Sequence, residues 1–192
     1  MKTTQLITTA FITAILVASP MSAIAGKGKS TASKRPSTAT VVVASLSDPE
    51  IATLKWMREE EKLARDIYVA MSSKYPQNIF KNIAASEQKH FDAIGEKLVL
   101  YGIEDPAMDA PGFFSVEELQ VMYDNLLATG WVSYANALGV GVTIEEEDIV
   151  DLVAALEGTT SRPLTTTYQH LLNGSESHLR SFEKLLNRLD VD

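Results

Sequence analysis

Cysteine is absent from this 192-residue chain. Its absence excludes disulfides, thiolate zinc sites, iron–sulfur clusters and a catalytic thiol, and with them a lipid anchor on an N-terminal cysteine. Basic residues are few: 17 Lys and Arg stand against 25 Asp and Glu, a net charge of −8. A nucleic-acid binder needs a basic face to neutralise phosphate, so this balance argues against one. Strand signals are nearly missing, since no apolar/polar alternation is followed by hairpin-turn residues. Beyond the N-terminus, no stretch approaches the roughly 18 consecutive apolar residues of a membrane span.

What is present begins with a targeting pattern. Lys2 precedes an uncharged apolar stretch from Leu6 to Ala18, and Ser22-Ala23-Ile24-Ala25 offers small residues where a signal peptidase cuts. Residues 1–25 therefore read as a signal peptide cleaved after Ala25, which implies a secreted or periplasmic protein with no stable membrane anchor after cleavage. Residues 26–47 carry Lys27, Lys29, Lys34 and Arg35, several Ser and Thr and no acid, the composition of a solvated basic linker. All 25 acids lie after it, while five of the bases lie before residue 48, so residues 48–192 carry a net charge of −13.

Residues 48–192 read as one all-α domain. Helical periodicity runs from Ser47-Asp48-Pro49 to about Lys74, and from Asn78 to Tyr101 with Gly102 as its stop. A crossover with Pro106, Pro111 and Gly112 follows. Ser115-Val116-Glu117-Glu118 has the capping-box pattern of a shorter helix reaching about Thr129. Two long segments complete the chain, Ser133 to Leu156 and Pro163 to Leu189. Gly139 and Gly141 weaken the first, and Asn173-Gly174 suggests an irregularity in the second. Two helices, a long connection and two more helices form a four-helix bundle with one long crossover.

The core seams of these helices are apolar except near their middles. The 3/4-spaced stripes are Leu54, Met57, Glu61, Ala64, Tyr68, Met71; Phe80, Ile83, Glu87, His90, Ile94, Leu98; Leu138, Val142, Glu145, Ile149, Leu152, Leu156; and Leu164, Tyr168, Leu171, Ser175, His178, Phe182, Leu185. Ionised carboxylates in an apolar core are costly unless paired or metal-bound, and no Lys or Arg lies on these stripes. Glu87-x-x-His90 sets two ligand types one turn apart on one face, as in dimetal carboxylate bundles. Oxygen and nitrogen donors without thiolate suit iron or manganese, and less selectively zinc. Against this, Glu61 sits in the run Arg58-Glu59-Glu60-Glu61-Lys62 and Glu145 in Glu145-Glu146-Glu147-Asp148. Either run reads equally as a solvated face, or as a surface that draws cations to the bundle. His170 falls off the stripe and is expected to be exposed.

Glu61-Lys62-Leu63-Ala64-Arg65-Asp66-Ile67-Tyr68 resembles the first helix of rubrerythrin-type proteins, where a bridging glutamate is followed by a small residue and a tyrosine. Ala84-Ala85-Ser86-Glu87-Gln88-Lys89-His90 resembles their second helix. The longer strings Met57–Asp66, Asn82–Glu87, Ile144-Glu145-Glu146 with Asp148-Ile149, and Gly174–Arg180 resemble the DUF2202 family over about residues 50–189, a ferritin-like family. The resemblance implies a ferritin-like bundle holding two metal ions, iron first and manganese or zinc next, on Glu61, Glu87, His90, Glu145 and His178. The fourth helix departs from the pattern, with Ser175 where a glutamate belongs. Glu176 points about 100° away, and Glu146 or Asp148 are the candidates to fill the gap. Tyr68 and Tyr168 are candidates to hydrogen-bond the ligands, or to fill the core.

Three functions stay open on the sequence: a di-iron protein oxidising iron or reducing peroxide, a non-catalytic metal-binding, storage or envelope stress protein, and a helical interaction module with a structural polar seam. The first needs ferrous iron or an outside electron donor as partner, because a chain without cysteine carries no rubredoxin-like module. Homodimerisation stays open.

Overall fold

The computed structural model describes residues 45–189. The expected signal peptide and residues 26–44 of the expected linker lie outside them. Five helices follow in order: α1 (Asp48–Lys74), α2 (Asn78–Tyr101), α3 (Glu117–Gly130), α4 (Tyr134–Glu157) and α5 (Arg162–Leu189). Among the described residues there is no strand, and no helix is long and apolar enough to cross a membrane.

Local chemistry sets most helix boundaries. At the start of α1 the Glu50 carboxylate accepts from the Ser47 backbone N–H at 2.9 Å and from its hydroxyl at 2.8 Å, with Pro49 in the first turn. Gly102 ends α2 in the left-handed conformation, φ 66°, which an L side chain adopts at a cost. Ser133 caps α4 by accepting from the Asn136 N–H at 3.1 Å. Two expectations fail here. The capping box at Ser115 does not form, and α3 begins one residue later, with Val116 at the cap position; the Ser115 hydroxyl and N–H instead bind Glu59. Asn173-Gly174 causes no break, and α5 runs through it unbroken.

Two apolar clusters make the core. One gathers Leu63, Ala64, Ile67, Tyr68, Phe80, Ile83, Leu138, Ile144 and Phe182. The other gathers Leu54, Met57, Ile94, Leu98, Leu152, Leu164, Tyr168 and Leu171. Their membership gives the helix directions. α1 and α5 enter the second cluster first and leave through the first, whereas α2 and α4 do the reverse. The order is up, down, down, up, so the crossover must return the length of the bundle to begin α4 beside the start of α2. α1 packs mainly on α2 and α4 on α5, with α3 laid against α1 and α4. On each long helix the residues between the two clusters are the polar ones: Glu61; Glu87 and His90; Glu145 and Asp148; Ser175 and His178.

The stripe on α4 is rotated from the expected one. Gly141, Ile144 and Asp148 are buried, while Val142, Ile149 and Leu156 are only half-buried. Gly141 makes this possible: a Cβ there would sit 2.6 Å from the Phe182 ring. The glycine that weakens the helix in isolation lets α4 and α5 close around an aromatic layer.

The charged run on α1 is not a solvated face. Glu59 is fully buried and accepts from the Ser115 N–H and hydroxyl, both at 2.8 Å. Lys62, 1 % exposed, donates to Asp66 at 2.7 Å and to the carbonyls of Ala110 and Phe113 at 3.0 and 3.1 Å. Asp66 in turn accepts from the Gly112 N–H at 2.9 Å. Arg58 pairs with Asp105 at 2.7 Å and lies over the Phe91 ring. These buried pairs clamp the crossover to α1. Proline-containing and short of internal hydrogen bonds, it needs its backbone groups satisfied from outside.

Candidate metal centre

Four helices converge their polar residues at mid-bundle. Glu61 on α1, Glu87 and His90 on α2, and Glu145 on α4 are at most 3 % exposed, and His178 on α5 is 9 % exposed. Glu87 lies at the middle. One carboxylate oxygen stands 2.7 Å from His178 Nδ1, the other 2.9 Å from His90 Nδ1. Glu61 lies 3.4 Å from His90 Nδ1, and Glu145 3.5 Å from His178 Nδ1. The two imidazoles are stacked, with centroids 5.6 Å apart at 29°. The result is two triads that share one carboxylate, Glu61–Glu87–His90 and Glu87–Glu145–His178, each with donor atoms within 4.8 Å of one another. The shared carboxylate is Glu87, not Glu61, as the likeness to the first helix of rubrerythrin-type proteins had implied. All five sequence-predicted ligands are brought together.

The gap at Ser175 is filled from α4. Asp148 is buried one turn beyond Glu145, and its Oδ2 accepts from the Ser175 hydroxyl at 2.5 Å. Ser175 thus holds a carboxylate rather than supplying one. Asp148 stands outside both triads, yet its charge bears on Glu61 and Glu87 alike. Glu146 and Glu176 are exposed and take no part. The sequence carried a usable signal for Asp148: the spacing Glu145-x-x-Asp148 repeats that of Glu87-x-x-His90, so both residues share a helix face.

Tyr68 is fully buried and donates to Glu145 Oε1 at 2.7 Å, fixing the orientation of that carboxylate. Tyr168 makes no such bond; it packs in the second apolar cluster, its hydroxyl without a partner. His170 is exposed, as expected, but its ring meets that of His90 edge-on at 6.2 Å. Gly174 touches the other side of His90: a Cβ there would stand 2.6 Å from both Cε1 and Nε2. The glycine in α5 is a seat for the imidazole, a role no local sequence signal disclosed.

Electrostatics show how poorly this centre is balanced by its own groups. Burial pushes Glu145 up to about 8 and Asp148 up to about 7, and raises Glu61 well above the carboxylate range, with the charges of Asp148 and Glu87 adding to it. Burial also disfavours ionised Glu87, but His178 and His90 outweigh it and hold that carboxyl at about 2. Burial disfavours charged His178, but Glu145 and Glu87 outweigh it and raise the imidazole to about 9. The donor geometry is equally unsettled. Glu61 Oε1, Glu87 Oε1, His90 Nδ1, Asp148 Oδ1 and His178 Nδ1 are buried without a hydrogen-bond partner. The Glu87–histidine contacts are close enough for ion pairing, but both Nδ1 atoms stay unpartnered. Folded proteins leave few such atoms, and buried glutamate and histidine donors grouped in this way could hold a metal ion. Four carboxylates and two imidazoles fit two divalent ions in charge and ligand type, with Glu87 shared between them.

The family model described as uncharacterized protein domain DUF2202 matches residues 50–190. Uncharacterized protein MJ0754 of Methanocaldococcus jannaschii is 43% identical over 143 residues, which cover 74% of this chain and 77% of that protein. The crystal structure of that hypothetical protein superimposes with a TM-score of 0.74 at 40% identity, over 84% of this chain and 87% of that one. A DUF305 fragment from Deinococcus radiodurans shares the fold alone, with a TM-score of 0.57 at 14% identity, over 76% of this chain and 99% of that one. With most of its length matched both by the family model and by a relative of this identity, the chain belongs to the DUF2202 family.

Proposed function

We propose that this protein is a ferritin-like dimetal carboxylate protein that couples oxidation of ferrous iron to reduction of peroxide. One observation carries the reading: two buried triads, Glu61–Glu87–His90 and Glu87–Glu145–His178, that share the Glu87 carboxylate. The up-down-down-up order of the long helices and the long crossover are those of a ferritin-like bundle. Glu61, Glu87 and His90 would hold one ion, and Glu87, Glu145 and His178 the other, with Asp148 adding the fourth negative charge. Iron is the preferred metal, since donors of oxygen and imidazole suit it and it supplies electrons; manganese and zinc share the donor preference. Two bound ferrous ions would supply one electron each, so that peroxide and two protons yield two waters. Around them the chain has defined tasks. Tyr68 orients Glu145, Ser175 orients Asp148, and the two apolar clusters keep water from the layer on both sides. With no cysteine in the chain, later electrons come from further ferrous iron or an external donor. A signal peptide at residues 1–25, as their sequence pattern suggests, would put this chemistry in the periplasm or the exterior.

The test is to load purified protein with ferrous iron, count metal per chain, and add peroxide. Two irons per chain and an oxo-bridge absorption band are expected. Metal binding without turnover would move the protein to storage or sequestration. A metal content that Glu87→Ala leaves unchanged would make the polar layer purely structural.

A further inference from the structure

The crossover helix α3 has no counterpart in a minimal four-helix bundle, and it encloses something. Between α1, α3 and α4 lies a cavity of about 100 Å³, partly open to solvent. Its walls are Leu63 and Ala64, Leu119, Met122 and Leu126, and Ile144. The carboxylates lining it include Glu60 and Asp148, each with one buried oxygen that has no hydrogen-bond partner. Asp148 belongs to the metal layer, so the cavity borders the candidate centre. The crossover is fixed in place by Glu59, Lys62 and Asp66, buried on the neighbouring face of α1.

We propose that this cavity is the substrate pocket of the centre and takes a small organic hydroperoxide, an assignment that rests on the peroxide-reducing reading above. Mostly apolar walls with a few polar groups, here Glu60, Thr143, Glu147 and Asp148, are the usual form of a small-molecule site. A cavity of about 150 Å³ holds benzene, so this one accommodates an alkyl body of roughly four carbons. Leu119, Met122, Leu126 and Ile144 would enclose the alkyl group. The hydroperoxyl O–H would donate to a carboxylate oxygen of Glu60 or Asp148, which turns the O–O bond toward the metal layer. In the reaction the O–O bond breaks. Two electrons come from two ferrous ions and two protons from solvent, giving the alcohol, water and two ferric ions. Hydrogen peroxide fits the same oxygens but leaves the apolar walls uncovered, so the pocket favours the organic substrate.

Two measurements test this on the full folded chain. The first is binding: tert-butyl alcohol, the product of tert-butyl hydroperoxide, should shift the Met122 methyl resonance saturably, and Leu126→Trp should abolish the shift. No saturable shift at Met122 overturns the pocket. The second is turnover by the iron-loaded protein. Leu126→Trp should lower kcat/KM for tert-butyl hydroperoxide by about tenfold or more relative to that for hydrogen peroxide and leave the metal count unchanged. Met122→Trp repeats the test should Leu126→Trp misfold. An equal loss for both peroxides, or for neither, refutes the substrate assignment. Failure to turn over either peroxide, with the Met122 shift intact, sinks the peroxide-reducing reading and leaves a ligand pocket without that chemistry.

Discussion

Replacing Gly174 by alanine separates metal binding from folding in one step. The Cβ would stand 2.6 Å from His90 Cε1 and Nε2, where ordinary contact begins near 3.4 Å, so something must retreat by about 0.8 Å. The imidazole has little room. It stacks on His178, meets His170 edge-on, and has Nδ1 2.9 Å from Glu87. Metal sites tolerate ligand displacements of about 0.2 Å, so the Glu61–Glu87–His90 position should lose about 10- to 100-fold in affinity, the range for disturbed ligand support. Stability follows a different balance. Alanine in a helix gains about 1 kcal/mol over glycine and overpacking costs about 1–3 kcal/mol, a net cost of about 0–2 kcal/mol, so the melting temperature of chelated protein should fall by at most about 8 °C. Gly139→Ala is the control, because nothing lies within 4 Å of its Cβ. It should gain that 1 kcal/mol, about 2–4 °C for a chain of this size, and bind metal normally. The assay is metal per chain and affinity by calorimetry beside thermal melts. Two metals bound at wild-type affinity by the Gly174→Ala protein would refute the seating of His90 proposed here.

Four further outcomes are expected. Glu87→Gln should abolish binding at both positions, because that carboxylate alone belongs to both triads, whereas Glu61→Gln should affect one; metal counting tells them apart. Ser175→Ala removes the bond to buried Asp148 and should cost about 1–3 kcal/mol in chelated protein, measured by denaturant unfolding, with less effect once metal binds. Lys62→Met leaves Asp66 with Arg65 and the Gly112 N–H but strips two crossover carbonyls of their donor, and should cost about 1–3 kcal/mol, seen as faster hydrogen exchange at residues 110–115 and lower stability. For pH, the raised groups Glu145 (about 8), Asp148 (about 7) and His178 (about 9) keep protons in the folded state that the unfolded chain has already released. Stability of the chelated protein should therefore fall from about pH 5 to pH 9, and the opposite slope between 2 and 4.5 comes from Glu87. Metal displaces those protons, so the gap between loaded and chelated melting temperatures should widen as pH rises.

The bundle was legible in the sequence because its signals are local or periodic: Gly102 and Ser133 mark boundaries, and 3/4 spacing places Glu61, Glu87, His90, Glu145 and His178 inward. What escaped was decided by partners distant in the chain. Nothing in Arg58-Glu59-Glu60-Glu61-Lys62 reveals that Glu59 and Lys62 meet a crossover about 50 residues away, since a charge run looks the same solvated or buried against backbone. Ser115 had the pattern of a cap but was taken by Glu59. Gly139, Gly141 and Gly174 read alike as weak points, yet only the packing shows that Gly141 admits Phe182 and Gly174 admits His90. Asp148 sat at the right spacing, but its role depends on Ser175, 27 residues on.

The Ser175–Asp148 exchange also bears on how many ions the centre takes. In the ferritin-like pattern the fourth helix would bring a carboxylate; here α4 brings it and α5 brings the hydroxyl that holds it. Carboxylates around the layer still number four: Glu61, Glu87, Glu145 and Asp148. With no ion present, two histidinium charges answer at most two of them. The remaining charge is suppressed by protons, which is why Glu145 and Asp148 stay protonated toward neutrality. One divalent ion bound to neutral imidazoles would leave the same deficit of two. Two divalent ions cancel four carboxylates with both histidines neutral and free to ligate through Nδ1, the atoms that lack partners. Charge balance in a buried layer thus supports the proposed pair of ions, beside the geometry that puts Glu87 in both triads.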